Sequence, residues 1–459
     1  MERLSHAIYT KVHSGIWRHL HLSRYGPGIS HLFFADDLIL FAEASLDQLT
    51  IIQQTLNEFC ACSGHRISVS KSQIHFSDNV CTDLREEIVQ GFGYEVVEEL
   101  GIYLGVPLLH KRVTRAIYGY LIDKVHQRLS GWTASSLSLS GRITLANSVL
   151  QAIPSYAMQS AYLPKAICDE LEKLIRNFIW GSSSDKRKIH LVNWGIVQQP
   201  IGNGGLGLKD LGRQNKAFLM KLAFQLVTNV DKLWIRVIKA KYKWGDQVPL
   251  SLKLGNCLRL WRGFGAIWDV IRDSIMWNVR NGAIVNFWND VWLDSVGPLS
   301  SHFIGCRVPD NSCVADWVSA SGSWDWDRLR HVVPVNVLQH IFACPAPNSL
   351  SSDDVPCWRW TAKRAFTTNS AYVALGDSSN PNSSVWRVLW KVSVPQRVRT
   401  FLWLTVHGKL LTNQERVRRS LTIVDAYFLC NNGSEDVLHV LRDCIRARTV
   451  WRQVIQESK

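Results

Sequence analysis

No CxxC pair occurs among the 11 cysteines, and their scattered spacing is not that of a secreted disulfide scaffold. A reducing compartment is therefore expected. No apolar run approaches the roughly 20 residues that span a bilayer. The opening Met1-Glu-Arg-Leu-Ser-His-Ala-Ile8 lacks the basic start and long apolar core of a signal peptide. These absences predict a soluble intracellular protein with no signal peptide and no membrane partner. No internal repeat stands out. The glycine-rich Ile201-Gly-Asn-Gly-Gly-Leu-Gly207 lacks a following Lys-Ser/Thr, so it is not read as a phosphate loop.

What the chain does have is length, core-forming residues and unevenly placed charge. Its 459 residues suggest about three domains, and 46% apolar residues allow substantial cores. The formal net charge of +14 divides into −6 for residues 1–110, +13 for 111–250, 0 for 251–384 and +7 for 385–459. A carboxylate-rich segment thus precedes a strongly basic one. That order suits a metal site followed by parts that track a phosphate backbone, where each Lys or Arg contact adds salt-sensitive affinity. For the cluster Lys186-Arg187-Lys188 a merely solvated helical surface is an equal alternative.

The sharpest local feature is Phe33-Phe34-Ala35-Asp36-Asp37-Leu38, two adjacent carboxylates between apolar runs. Residues 31–35 and 38–42 read as short strands, with Asp36 and Asp37 in the turn of a hairpin. Side chains projecting from one point would repel each other unless a cation lay between them. A divalent metal with oxygen ligands, such as magnesium, answers that need. An ordinary Asp-rich turn is the competing reading.

From 111 to about 242 the apolar spacing becomes helical, as in Leu171, Leu174, Ile175, Phe178 and in Phe218, Leu219, Leu222, Leu226. The stretch 243–384 is less regular, with loops expected at 345–354 and 378–384. It is rich in tryptophan, with 15 of the 20 indoles lying from Trp234 to Trp403. Stacking on single-stranded bases is conceivable, but core packing is the expected use. If extended, Trp324 with Trp326 and Trp358 with Trp360 would share one strand face. Near the end, Cys430, His439 and Cys444 have the identities and spacing of a small zinc knuckle, with ordinary residues of a helix-turn segment as the alternative.

His31-Leu-Phe-Phe-Ala-Asp-Asp-Leu-Ile-Leu-Phe-Ala42 resembles the catalytic hairpin of reverse transcriptases from plant non-LTR (LINE-type) retrotransposons. Further segments agree in order. Ser63-Gly-His-Arg-Ile-Ser-Val-Ser-Lys-Ser72 resembles the next palm motif, with Lys71 at its lysine, and Tyr103-Leu-Gly-Val-Pro107 resembles the primer-grip hairpin. Leu137-Ser-Leu-Ser-Gly-Arg-Ile-Thr-Leu145, Asn177-Phe-Ile-Trp-Gly181 and Gly204-Gly-Leu-Gly-Leu208 look like the thumb and connecting region. Residues 386–451 resemble the zinc-binding module that follows the polymerase. In related modules a further Cys stands three residues before the one matching Cys430; here that position is Tyr427, which puts zinc binding in question.

The resemblance implies an α+β fold: a polymerase palm fragment (1–110), a mainly helical thumb (111–242), a Trp-rich connector (243–384) and a small zinc-knuckle-like module (385–459). It implies RNA-directed DNA synthesis, with Asp36 and Asp37 as magnesium ligands and Lys71 as proton donor to pyrophosphate or phosphate contact. Residues 103–107 would support the primer. Partners would be an RNA template and a DNA primer held by the basic region 111–250, and residence would be nuclear. Only 35 residues precede Asp36, too few for fingers and a further palm carboxylate. A truncated enzyme, inactive alone, is therefore the first expectation. A non-catalytic nucleic-acid-binding protein and a relict translation product are the alternatives.

Overall fold

The structure, a computed structural model, describes residues 1–108, 115–132, 136–182, 187–245, 247–255, 257–305, 312–376, 384–430 and 433–455. The expected boundary at 110/111, Lys186 of the basic cluster and most of the expected loop at 378–384 lie outside these residues. The chain divides into two units, one of Met1–Ile117 with Met220–Thr367, the other of Tyr118–Leu219 with Thr368–Lys459.

Helix α1 (Glu2–His13) turns Leu4 and Ile8 inward, where they form a core with Trp17 and Leu56. Strands β1 (Leu20–His21) and β2 (Gly28–Ile29) pair antiparallel across the turn-rich segment between them. The hairpin of β3 (His31–Phe34) and β4 (Asp37–Leu40) follows and lays Phe33, Leu38 and Leu40 on the α1 core. Helix α2 (Leu46–Ser63) begins where the Ser45 hydroxyl accepts the Gln48 N–H and stops at Gly64, φ 73°. Both are efficient ends: the serine satisfies an orphan amide, and glycine takes the left-handed conformation freely. Beyond the 3-10 turn Val69–Lys71, β5 (Gln73–Ile74) and β6 (Glu95–Val96) pair in parallel, connected through α3 (Thr82–Phe92). A second hairpin joins β7 (Ile102–Tyr103) and β8 (Val106–Pro107) through Leu104 (φ 50°) and Gly105 (φ 75°). Two positive φ values in a two-residue loop match the twist of paired strands.

Helices then dominate, as the apolar spacing predicts: α4 (Gly119–Ser130), α5 (Leu139–Leu145), α6 (Ala152–Met158), α7 (Lys165–Trp180), α8 (Trp194–Val197), α9 (Leu211–Thr228) and α10 (Leu233–Lys241). In α7 the face carrying Leu171, Ile175 and Phe178 is buried, with α4 and α5 packed on this helix. Gly181 ends it at φ 70°.

Residues 259–358 contain α11 (Arg259–Ala266), α12 (Trp268–Ser274), β9 (Ile275–Asn278), α13 (Trp326–Val332), α14 (Val335–Phe342) and β10 (Val355–Trp358), with β9 and β10 antiparallel. Indoles build this core: Trp261, Trp268, Trp277, Trp288, Trp292, Trp317, Trp324 and Trp358 are buried. Phe287 stacks on Trp317 at 4.4 Å and Trp292 on Trp324 at 5.6 Å between ring centroids. The indole pairs do not share strand faces. Trp324 is buried while Trp326 starts α13, and Trp358 ends β10 while Trp360 lies outside it, half exposed. The chain turns at each pair because Asp325 caps α13 by accepting the Arg328 N–H, and the Trp358 N–H donates to the Arg364 carbonyl.

The last part carries α15 (Thr368–Ala374), α16 (Ser384–Lys391), α17 (Gln396–Val406), α18 (Asn413–Arg418) and α19 (Ile445–Val454). The fold as a whole is mixed α and β, about half helical, and its strands form small two-stranded sheets among the described residues. No helix among these residues is long and apolar enough to cross a membrane.

Candidate metal centre

The β3–β4 hairpin presents the first candidate ligands. Phe34 pairs with Asp37, so the loop consists of Ala35 and Asp36, and Asp37 opens the second strand instead of sharing the turn. Both carboxylates are exposed. Ala35 sits at φ 51°, a region costly for a residue with a Cβ. The packing behind it fixes this geometry. Leu38 and Leu40 face the α1–α2 core, while His31 accepts or donates at both nitrogens, with Ser5 Oγ at 2.7 Å and Ser30 Oγ at 2.9 Å. Burial lowers the His31 pKa, which favours the neutral ring.

The β7–β8 hairpin approaches the same site. Burial, and after it the negative charge of Asp37, pushes the Tyr103 phenol up. Lys71, at the end of its 3-10 turn, is exposed and forms no ion pair with Asp36 or Asp37. The adjacent carboxylates offer hard oxygen ligands suited to magnesium. Among the described residues, however, no third His, Cys, Asp or Glu stands with them; the grouping of three that could hold a metal is elsewhere.

That grouping is Cys430, His439 and Cys444, whose ligand atoms all lie within 4.8 Å of one another. Cys430 Sγ is 3.2 Å from His439 Nε2. Local structure brings them together. The Cys430 N–H donates to the Tyr427 carbonyl, the His439 N–H at the start of a short π-helical turn donates to the Asp436 carboxylate, and Cys444 precedes α19 at its N-cap. Burial opposes the Cys444 thiolate. The Arg446 and Ala447 amides at the start of α19, and the Cys430 thiol, outweigh it and hold the Cys444 pKa below its usual value. Two thiols and an imidazole at these separations fit three corners of a tetrahedral zinc site. The Tyr427 ring meets His439 edge-on, centroids 5.4 Å apart. Among the described residues no fourth ligand joins the three, and a phenol is a poor substitute for a thiolate, so this set stands one ligand short of a closed structural site.

Two features of the same unit escape a reading by motif. Glu415 is buried and gathers Arg418 at 2.6 Å, Arg419 at 2.7 Å and Lys409 at 3.8 Å. Although burial opposes its charge, hydrogen bonds from both arginines and the nearby cations bring its pKa down to about 2. Arg419 also donates to the carbonyls of His190 and Leu191, at 2.9 and 2.6 Å. The second feature is Gly204, whose carbonyl accepts the Trp403 indole N–H at 2.7 Å and lies 2.8 Å from His407 Nε2. A Cβ on Gly204 would lie 2.6–2.9 Å from Trp386, and one on Gly205 would overlap the Gln199 carbonyl. The glycines permit close approach of backbone and indoles, which explains them without a phosphate.

Residues 366–451 match the family described as zinc-binding in reverse transcriptase. An Arabidopsis thaliana relative named "Putative ribonuclease H protein" is 32% identical over 363 residues, covering 77% of this chain and 58% of its own length. An "Uncharacterized mitochondrial protein" from the same plant is 28% identical over 150 residues, 32% of this chain and 97% of that protein. The chain thus spans little more than half the length of the first relative. The chain is thus similar over its last part to that family and over most of its length to a plant protein, and these likenesses support a plant retroelement protein of the reverse-transcriptase type.

Proposed function

We propose that this chain carries part of the RNA-directed DNA polymerase of a LINE-type element, and that it binds template and primer but does not extend the primer by itself. The observation that supports this most is the β3–β4 hairpin, which exposes Asp36 in its loop and Asp37 at the start of β4, with the charge of Asp37 acting on Tyr103 of the second hairpin. Magnesium, when bound, would supply the Lewis acidity that nucleotidyl transfer requires. Asp36 and Asp37 would hold it, residues 102–107 would support the primer end, and Lys71 would meet phosphate or give a proton to pyrophosphate. The basic stretch 111–250 would follow the template–primer backbone.

Inactivity of the chain alone rests on the ligand count. In-line transfer with two metals needs a further carboxylate, and among the described residues none joins Asp36 and Asp37. Primer extension on an RNA template with magnesium or manganese tests the reading. The expected result is no product above a control carrying Asp36→Ala and Asp37→Ala. Extension that the double substitution abolishes would mean that the clamp is complete within this chain.

A further inference from the structure

Beyond the basic stretch 111–250, the C-terminal helix carries a second surface with the chemistry of a nucleic-acid contact. Helix α19 has no buried residue. A groove of about 540 Å³ runs along it, lined by Arg442, Asp443, Arg448, Trp451, Arg452 and Ile455. Residues 448, 451 and 452 follow the i, i+3, i+4 spacing that aligns side chains on one helical face. The face therefore alternates cation and indole.

Two details make this more than a solvated helix. The Trp451 Nε1–H donates to the Leu441 carbonyl at 2.7 Å, which fixes the indole while leaving it 47% exposed. Second, Arg442 is taken up by Asp443, at 2.8 and 3.1 Å, whereas no described carboxylate lies within ion-pair distance of Arg448 or Arg452. Among the described residues, two guanidinium groups outside any ion pair flank a held aromatic face, with the Asp443 carboxylate, whose charge also interacts with Arg448, in the same groove. Guanidinium groups suit phosphate oxygens, and an indole face suits a base that is free of its partner strand.

We infer that Arg448 and Arg452 bind the phosphates, and Trp451 stacks on a base, of single-stranded nucleic acid. This rests on the reading that the chain handles nucleic acid, but it assigns the single strand to a surface other than 111–250. A duplex keeps its bases stacked inside and offers Trp451 nothing.

The test is fluorescence anisotropy with the full chain, using labelled single strands of mixed sequence, as RNA and as DNA, and a template–primer duplex. Three variants are compared: Trp451→Ala, Trp451→Phe, and the double variant Arg448→Gln with Arg452→Gln. Trp451→Ala is expected to weaken single-strand binding about tenfold, and Trp451→Phe much less, because a phenyl face still stacks. The double variant should reduce the slope of log affinity against log salt by about 1.4, from about 0.7 per lost phosphate contact. Duplex affinity should stay within about twofold in all three. RNA and DNA arms show which strand the groove prefers. Wild-type binding to single strands that all three variants leave unchanged overturns this assignment. Failure of the wild type to bind either probe instead overturns the broader nucleic-acid reading, and this assignment with it. If Trp451→Ala melts the module, the double variant, whose side chains are exposed, decides alone.

Discussion

Tyr427 meets His439 edge to face, ring centroids 5.4 Å apart, beside a pair of cysteines already close enough to share a metal. The Cys430 amide donates to the Tyr427 carbonyl at 3.4 Å, so residue 427 starts the turn on which Cys430 sits. A thiolate placed there would complete the donor set. The substitution Tyr427→Cys should raise bound zinc from well below one to one per chain, and raise the melting temperature in zinc by several degrees, since binding is coupled to folding. A natural chain that already holds one chelator-resistant zinc, and a variant that changes neither quantity, would mean that another group closes the site.

Glu415 makes a prediction about pH. Its carboxyl titrates near 2 in the folded protein and near the ordinary 4.5 when unfolded. A depressed folded value stabilises the charged state, so the contribution is complete above about pH 5 and is lost as pH falls toward 2. Because Arg418 is largely exposed, solvent screening reduces the effect, and about 2 kcal/mol is a fair magnitude. Glu415→Gln should lower stability by that amount at pH 7 and flatten the acid limb of a denaturation series. An unchanged acid limb would show that the three cations contribute nothing there.

Gly204 predicts a steric effect. It sits at φ 87°, and its missing side chain makes room for Trp386. Gly204→Ala should cost about 2 kcal/mol or more, from backbone strain together with overpacking. Chemical denaturation measures it, and a loss under about 0.5 kcal/mol would show that the indole moves aside easily.

How much was legible in the residues depends on the distance over which each feature is built. The β3–β4 hairpin is encoded by its own apolar runs, and α7 by four side chains on one face, so both could be read locally. The register was harder. Residues 36 and 37 look alike in sequence, but pairing of Phe34 with Asp37 moves the loop back onto Ala35 and Asp36. Trp358 and Trp360 were misleading for a related reason: a turn between them breaks the alternation an extended strand would have. The Glu415 cluster could not be read at all, because Arg419 reaches carbonyls at residues 190 and 191. Nor could the use of Gly204, whose indole partners Trp386 and Trp403 lie in two helices far along the chain. Cys430, His439 and Cys444 were legible because ligand types at short spacing limit the chemistry. Tyr427 stood out through the resemblance, which puts a Cys there; its edge-on contact with His439 did not.

The most direct test of the account is the affinity of the full chain for an RNA-template–DNA-primer duplex, measured by anisotropy from 50 to 300 mM salt. Residues 111–250 carry a net charge of +13, and several phosphate contacts from that region should give tight binding at low salt. With six or more contacts, affinity should fall by roughly a thousandfold or more between about 50 and 200 mM. Weak binding at 50 mM, or an affinity indifferent to salt, would contradict the claim that this chain grips template and primer.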